Sequence, residues 1–244
     1  MKSLQFFFFI AFSGFILSCD KNDAVDPIDP PVTTFPYVKT VTEDSLITTY
    51  TYDDSARVVE ENYSDGWRTV YTYETGKAIK DNYNTNGNLA NSYTYLLNSK
   101  GLCTSFTNYT SGRTYNFEYN DEDRIVYSYS TSSDGSVFQK SYYTYENGNM
   151  FKDSTSNIWN DTHIVYFYEY YTDINSTIGK PNFGIHFWGK DNKNAFRKVI
   201  RTESLDGPDY YNYTTPVLNN DSLVIQKSYS INNGGLYTQE YTYY

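Results

Sequence analysis

Tyr71-Thr72-Tyr73-Glu74-Thr75-Gly76-Lys77-Ala78-Ile79 decides how this chain folds. Two tyrosines one residue apart share a face of an extended strand. A polar turn with glycine follows, and a basic residue with two apolar ones opens the next strand. The tyrosine pair recurs at Tyr50-Thr51-Tyr52, Tyr93-Thr94-Tyr95, Phe117-Glu118-Tyr119, Tyr143-Thr144-Tyr145, Tyr168-Glu169-Tyr170, Tyr211-Asn212-Tyr213 and Tyr241-Thr242-Tyr243. Successive copies start 21, 22, 24, 26, 25, 43 and 30 residues apart. A near-fixed period of this length is the mark of a repeat architecture, and its inner period of two makes each unit a β-hairpin.

The connections support that reading. Tyr-x-Tyr strands end in polar turns such as Asp53-Asp54-Ser55-Ala56 and Asn120-Asp121-Glu122-Asp123. Second turns carry Asp65-Gly66, Asn86-Gly87, Ser111-Gly112, Asp134-Gly135 or Asn233-Gly234. Asn-Gly and Asp-Gly supply the positive φ that tight hairpins require. With short loops, sequence neighbours become spatial neighbours in an antiparallel meander. The pattern predicts roughly 14–16 strands over residues 37–244. No second layer is visible, so such a sheet must curl to hide one face and its edges, and closure into an up-and-down barrel does both. The alternative is an open, superhelically twisted sheet.

Of 244 residues, 29 are tyrosine and 19% are aromatic. Tyrosine buries a large ring but needs a partner for its hydroxyl, so these rings suit a half-wet interior better than a dry core. The formal net charge of −10 argues against nucleic acid, whose phosphates need a basic patch, and against attraction to anionic lipid. Strand positions such as Thr48, Lys80, Asp81, Glu118 and Lys152 interrupt any continuous apolar band, which a membrane-spanning barrel would need.

Residues 1–18 read as a signal peptide: Lys2, an apolar run from Phe6 to Leu17, then Ser18. Ile16-Leu17-Ser18-Cys19 resembles the bacterial lipobox, which implies lipidation of Cys19. Cys19-Asp20-Lys21-Asn22-Asp23 resembles the export tag of surface lipoproteins in Bacteroidota. Residues 19–36, with four aspartates and four of the seven prolines, read as a stiff solvated tether. Cys103 is then the lone remaining cysteine and reads as a small buried hydrophobe in a strand.

The repeats resemble divergent tyrosine-aspartate repeats of the secreted Rhs type. Over about residues 37–244 the repeat grammar, the long interruption after Tyr170 and the return to Tyr-x-Tyr at the C-terminus resemble a Bacteroidota lipoprotein family known as domain of unknown function 4595, described as porin-like in fold. That resemblance implies a fold and an outer-membrane, surface-exposed location, and no activity.

The chain carries two histidines, His163 and His186, and none of the usual phosphate-loop, nucleophile-elbow or metalloprotease motifs. No metal, cofactor or catalytic residue is assigned, and the chain reads as non-enzymatic. Asp44-Ser45-Leu46, Asp54-Ser55-Ala56, Asp153-Ser154-Thr155 and Asp221-Ser222-Leu223 resemble the O-glycosylation acceptor of Bacteroidota, which marks Ser45, Ser55, Ser154 and Ser222. All four are expected in turns, where Asp-Ser is also ordinary turn chemistry.

The interruption over residues 171–210 is where a binding function is expected. In an extended backbone Phe183, Ile185 and Phe187 share one face and His186 and Trp188 the other. Phe183, His186 and Trp188 are therefore candidates for a glycan or another surface ligand, with Trp188 as an exposed platform. The competing expectation is a barrel-end cover that buries Phe183 and Phe187, in a surface module that is purely structural or shielding.

Overall fold

A computed structural model describes residues 37–203, 206–232 and 234–244. The signal peptide, Cys19 and the tether lie outside the described residues. The strands are β1 (Val38–Glu43), β2 (Leu46–Tyr52), β3 (Val58–Tyr63), β4 (Arg68–Glu74), β5 (Lys77–Tyr83), β6 (Leu89–Leu97), β7 (Cys103–Asn108), β8 (Arg113–Tyr119) and β9 (Ile125–Thr131). They continue with β10 (Val137–Glu146), β11 (Asn149–Asn157), β12 (Thr162–Asn175), β13 (Asn194–Glu203), β14 (Asp206–Tyr213), β15 (Val217–Leu218), β16 (Val224–Ile231) and β17 (Leu236–Tyr243). The only helical element among the described residues is a short 3-10 turn, Lys180–Phe183.

β1 to β14 pair antiparallel in chain order, β14 and β15 lie in line against β16, and β17 pairs with both β16 and β1. The register of the closing pair runs through Val41↔Tyr241 and Glu43↔Gln239. The sheet is thus a closed barrel of sixteen staves, the expected meander, and the open-sheet alternative does not occur. Closure leaves no long exposed edge.

The period of two sorts the repeat by face. Tyr71 and Tyr95 point inward and are buried, and Ala78, paired with both Tyr73 and Tyr95, lies beside them. The residue between the tyrosines faces out. Of the polar strand positions, Thr48 and Lys80 point in: Thr48 is buried and Lys80 lies over the Tyr71 ring. The outer wall is polar, with ion pairs Arg68–Glu60 (3.4 Å), Lys77–Glu74 (3.0 Å) and Arg197–Glu169.

The second tyrosine of the pair has a repeated job. Tyr52 Oη donates to the Val38 carbonyl (2.6 Å), Tyr73 to Val58 (2.9 Å) and Tyr119 to Cys103 (2.8 Å). Tyr170 does the same to Met150 (2.7 Å) and Tyr243 to Val224 (2.7 Å). In each case the hydroxyl reaches the start of the preceding stave and satisfies a carbonyl at the rim. Phenylalanine would fill the space but leave that carbonyl without this bond, which gives tyrosine its advantage at these five positions.

Because staves alternate in direction, the two rims differ. At one rim lie the turns after each Tyr-x-Tyr and both ends of the described chain, where Tyr244 N–H donates to the Tyr37 carbonyl (3.0 Å). At the other lie hairpin connections of only two to five residues.

Candidate functional site

Residues 176–193 leave β12 and form a strap at the Tyr-x-Tyr rim. In chain order the strap meets the starts of β16, β3, β7, β9 and β11. Val224 N–H donates to Thr177 Oγ1 (2.9 Å), Val58 N–H to the Gly184 carbonyl (3.2 Å) and Cys103 N–H to the Phe187 carbonyl (2.8 Å). Lys190 N–H donates to the Asp123 carbonyl (2.9 Å) and Lys193 N–H to the Gly148 carbonyl (3.1 Å). That sequence is also their order around the barrel, so the strap traces the rim and rejoins the wall as β13. It is a cover for this end.

The candidate residues take unequal places in it. Trp188 is 4% exposed. Its ring stands edge-on to Tyr95 (5.7 Å), Phe106 (5.9 Å) and Phe117 (5.1 Å), with the Lys180 ammonium 4.5 Å from its centre. The expected exposed Trp188 platform is therefore not formed. Phe187 is buried beside Trp188, and Phe183 packs on Tyr50 at 5.1 Å. His186 alone of the candidates faces solvent, with Nε2 3.3 Å from the Ala56 carbonyl oxygen. The extended-strand rule failed for a physical reason. The 3-10 turn and the positive φ of Gly184 (+67) and Gly189 (+71) bend the strap, so alternate residues do not share a face. At both glycines the strap touches the rim, and an added Cβ would lie 2.5 Å from Val58 N or 2.5 Å from the Asp123 carbonyl oxygen.

The strap itself carries buried polar side chains, Lys180, Asp191 and Asn192. Burial pulls the Lys180 ammonium down to about 7 and pushes the Asp191 carboxyl well above the usual carboxylate range. Asp191 Oδ1 and Asn192 Nδ2 are buried without a hydrogen-bond partner. The Cys103 thiol is raised by burial and is a core residue.

The four serines divide as well. Ser45 and Ser222 are exposed in turns at positive φ (73 and 63), and Ser55 is half-buried in the β2–β3 turn. Ser154 is not in a turn but within β11, with Oγ 3.4 Å from His163 Nε2. A turn signal of two residues is short enough to occur inside a strand.

The hairpin rim carries what the sequence reading missed. Trp67 (40% exposed), Tyr109 (65%), Trp159 (67%) and Leu236 (62%) stand at the β3–β4, β7–β8, β11–β12 and β16–β17 hairpins. Leu46 and Ile47 at the β1–β2 hairpin, Leu89 at β5–β6 and Ile158 at β11–β12 are exposed at the same rim, so large apolar side chains ring the mouth. Inside the barrel, aromatic rings pack in series: Tyr213 on Tyr229 (5.4 Å), Tyr229 on Tyr237 (5.2 Å) and Phe106 on Tyr115 (4.6 Å). Large apolar residues beside Asp65-Gly66, Asn108, Asn157 and Gly235 were the available signal, since a turn rarely needs them.

Two solved structures share this architecture. A porin-like protein from Bacteroides uniformis superposes with a TM-score of 0.65 at 18% identity, over 90% of this chain and 100% of that one. A porin-like protein from Bacteroides vulgatus gives 0.62 at 15% identity, over 86% and 99%. The chain has the fold of these porin-like barrels. No protein-family model matches the sequence, and no curated protein matches it.

Proposed function

We propose that this protein is a lipoprotein of the outer membrane, displayed at the cell surface, that binds a glycan at its hairpin mouth and catalyses no reaction. The observation that carries the reading is the ring of exposed large side chains at the hairpin mouth, among them Trp67, Tyr109 and Trp159. Flat apolar rings on short rigid hairpins lose little entropy on binding and match the C–H faces of sugar rings. Hairpins of two to five residues leave the mouth uncovered by any long loop among the described residues.

The polar outer wall fits a barrel standing in water, held to the membrane by its N-terminus through a lipid on Cys19. Since Tyr37 lies at the strap rim, such an anchor would turn the strap toward the membrane and the mouth away from it. The resemblance to the porin-like lipoprotein family, and the fold shared with two Bacteroides porin-like barrels, support an outer-membrane location.

A polysaccharide array probed with the full chain tests the binding. Retained glycans should be lost in the Trp67→Ala, Trp159→Ala double variant; a silent array, or binding indifferent to that variant, would refute the site. Cys19→Ala should release the protein from the membrane fraction or leave an unprocessed precursor, and unchanged membrane retention would refute the anchor.

A further inference from the structure

β11 and β12 are paired from Asn157↔Thr162 to Lys152↔Phe167, where their ladder stops. β12 runs on to Asn175 beside β13, while β11 stays with β10 down to Glu146↔Asn149. The split has a cause in the end of the strap. Met150 N–H donates to Asn192 Oδ1 (2.6 Å). Asn149 Nδ2 donates to Asn194 Oδ1 (3.0 Å), and Asn194 N–H returns a bond to Asn149 Oδ1 (2.9 Å). Asn192 at the end of the strap and Asn194 at the start of β13 have thus taken the edge of β11 that β12 would occupy. Asn194 Nδ2 also donates to the Thr172 (3.2 Å) and Ile174 (3.3 Å) carbonyls, which holds the freed part of β12 in place.

Between the parted strands lies a cleft of about 350 Å³. Glu146, Phe151, Thr172 and Lys193 form its walls, and Tyr168 and Tyr170 reach it from the barrel side. Phe151, Thr172, Glu146 and Lys193 are all exposed. One acid and one base oppose each other, so the cleft has no net charge with which to select an ion. It offers hydrogen-bond donors and acceptors together with an open aromatic ring. A pyranose needs that mixture, because its hydroxyls both donate and accept while its C–H face is apolar. The asparagine bonds and the Tyr170–Met150 bond fix the cleft before anything enters it, so little ordering is required on binding.

We propose that the split between β11 and β12 is a binding site for a single neutral sugar ring, stacked on Phe151 and hydrogen-bonded by Glu146, Thr172 and Lys193. It lies at the strap rim, opposite the mouth. It shares the sugar chemistry argued for the mouth but is a separate site that stands or falls on its own.

Saturation-transfer NMR of the full chain with methyl glucoside, methyl galactoside, methyl mannoside and N-acetylglucosamine tests it. Expected is saturable binding of at least one of these sugars, weakened about tenfold in Phe151→Ala, as removal of an aromatic stacking surface implies. Thr172→Trp, which fills the cleft from an exposed position, should abolish it, and Trp67→Ala, Trp159→Ala should leave it unchanged. No saturable binding of any of the four sugars would overturn the site, and so would binding that survives both cleft variants. Binding abolished by the mouth variants alone would also overturn it, while supporting the mouth.

Discussion

Raising the pH above 10 should unfold this barrel within about one and a half pH units, because its tyrosines cannot ionise where they stand. Tyr52, Tyr73, Tyr119, Tyr170 and Tyr243 each donate their phenolic hydrogen to a rim carbonyl, and burial raises the pKa of every one of them. For Tyr243, the mildest case, the value is about 12. In the unfolded chain these phenols titrate near 10. A group whose pKa is raised by folding contributes stability below its unfolded pKa and loses it as pH rises past that value. At pH 11 each unfolded phenol gains about 1.4 kcal/mol from ionising while its folded counterpart does not, so the five together withdraw about 7 kcal/mol. That is comparable with the whole stability of an ordinary domain, about 5–15 kcal/mol. Other buried tyrosines, among them Tyr71, Tyr143 and Tyr168, push the same way. Far-UV circular dichroism and tyrosinate absorbance, followed together from pH 9 to 12, should show one coincident, cooperative transition. Tyrosinate forming gradually near pH 10 with the strand signal intact would refute the reasoning.

Gly184→Ala should destabilise by about 2–3 kcal/mol in denaturant melts, combining left-handed strain with loss of the Val58–Gly184 bond. Gly87→Ala, also at positive φ but with nothing within 4 Å of the added Cβ, should cost only the strain, about 1 kcal/mol, and equal losses would remove the strap clash from the argument. Lys180→Met should raise the melting temperature more at pH 6 than at pH 9. The buried ammonium has a folded pKa of about 7, so native stability from this group rises with pH between that value and 10.5, and the variant lacks the slope. A pH-independent difference would mean that Lys180 is not held at a depressed pKa. Trp188, measured in a chain lacking Trp67 and Trp159, should emit at short wavelength and resist quenching by iodide, and ready quenching would place it outside the strap.

The chain alone determined the strand period, the meander and the inward tyrosines, since these follow from alternation and turn residues within about ten positions of one another. It also marked residues 171–210 as different, and the strap is there. Three things required the tertiary structure. Closure depends on β1 meeting β17, about two hundred residues apart, and no local signal states it. The faces of Phe183, His186, Phe187 and Trp188 depend on how Gly184 and Gly189 bend the strap against Val58 and Asp123, contacts distant in sequence. The exposure of Trp67, Tyr109, Trp159 and Leu236 depends on which rim each turn joins and on what packs over it. Composition counts an aromatic ring the same way inside a barrel or at its mouth; only the direction of its stave decides which it becomes.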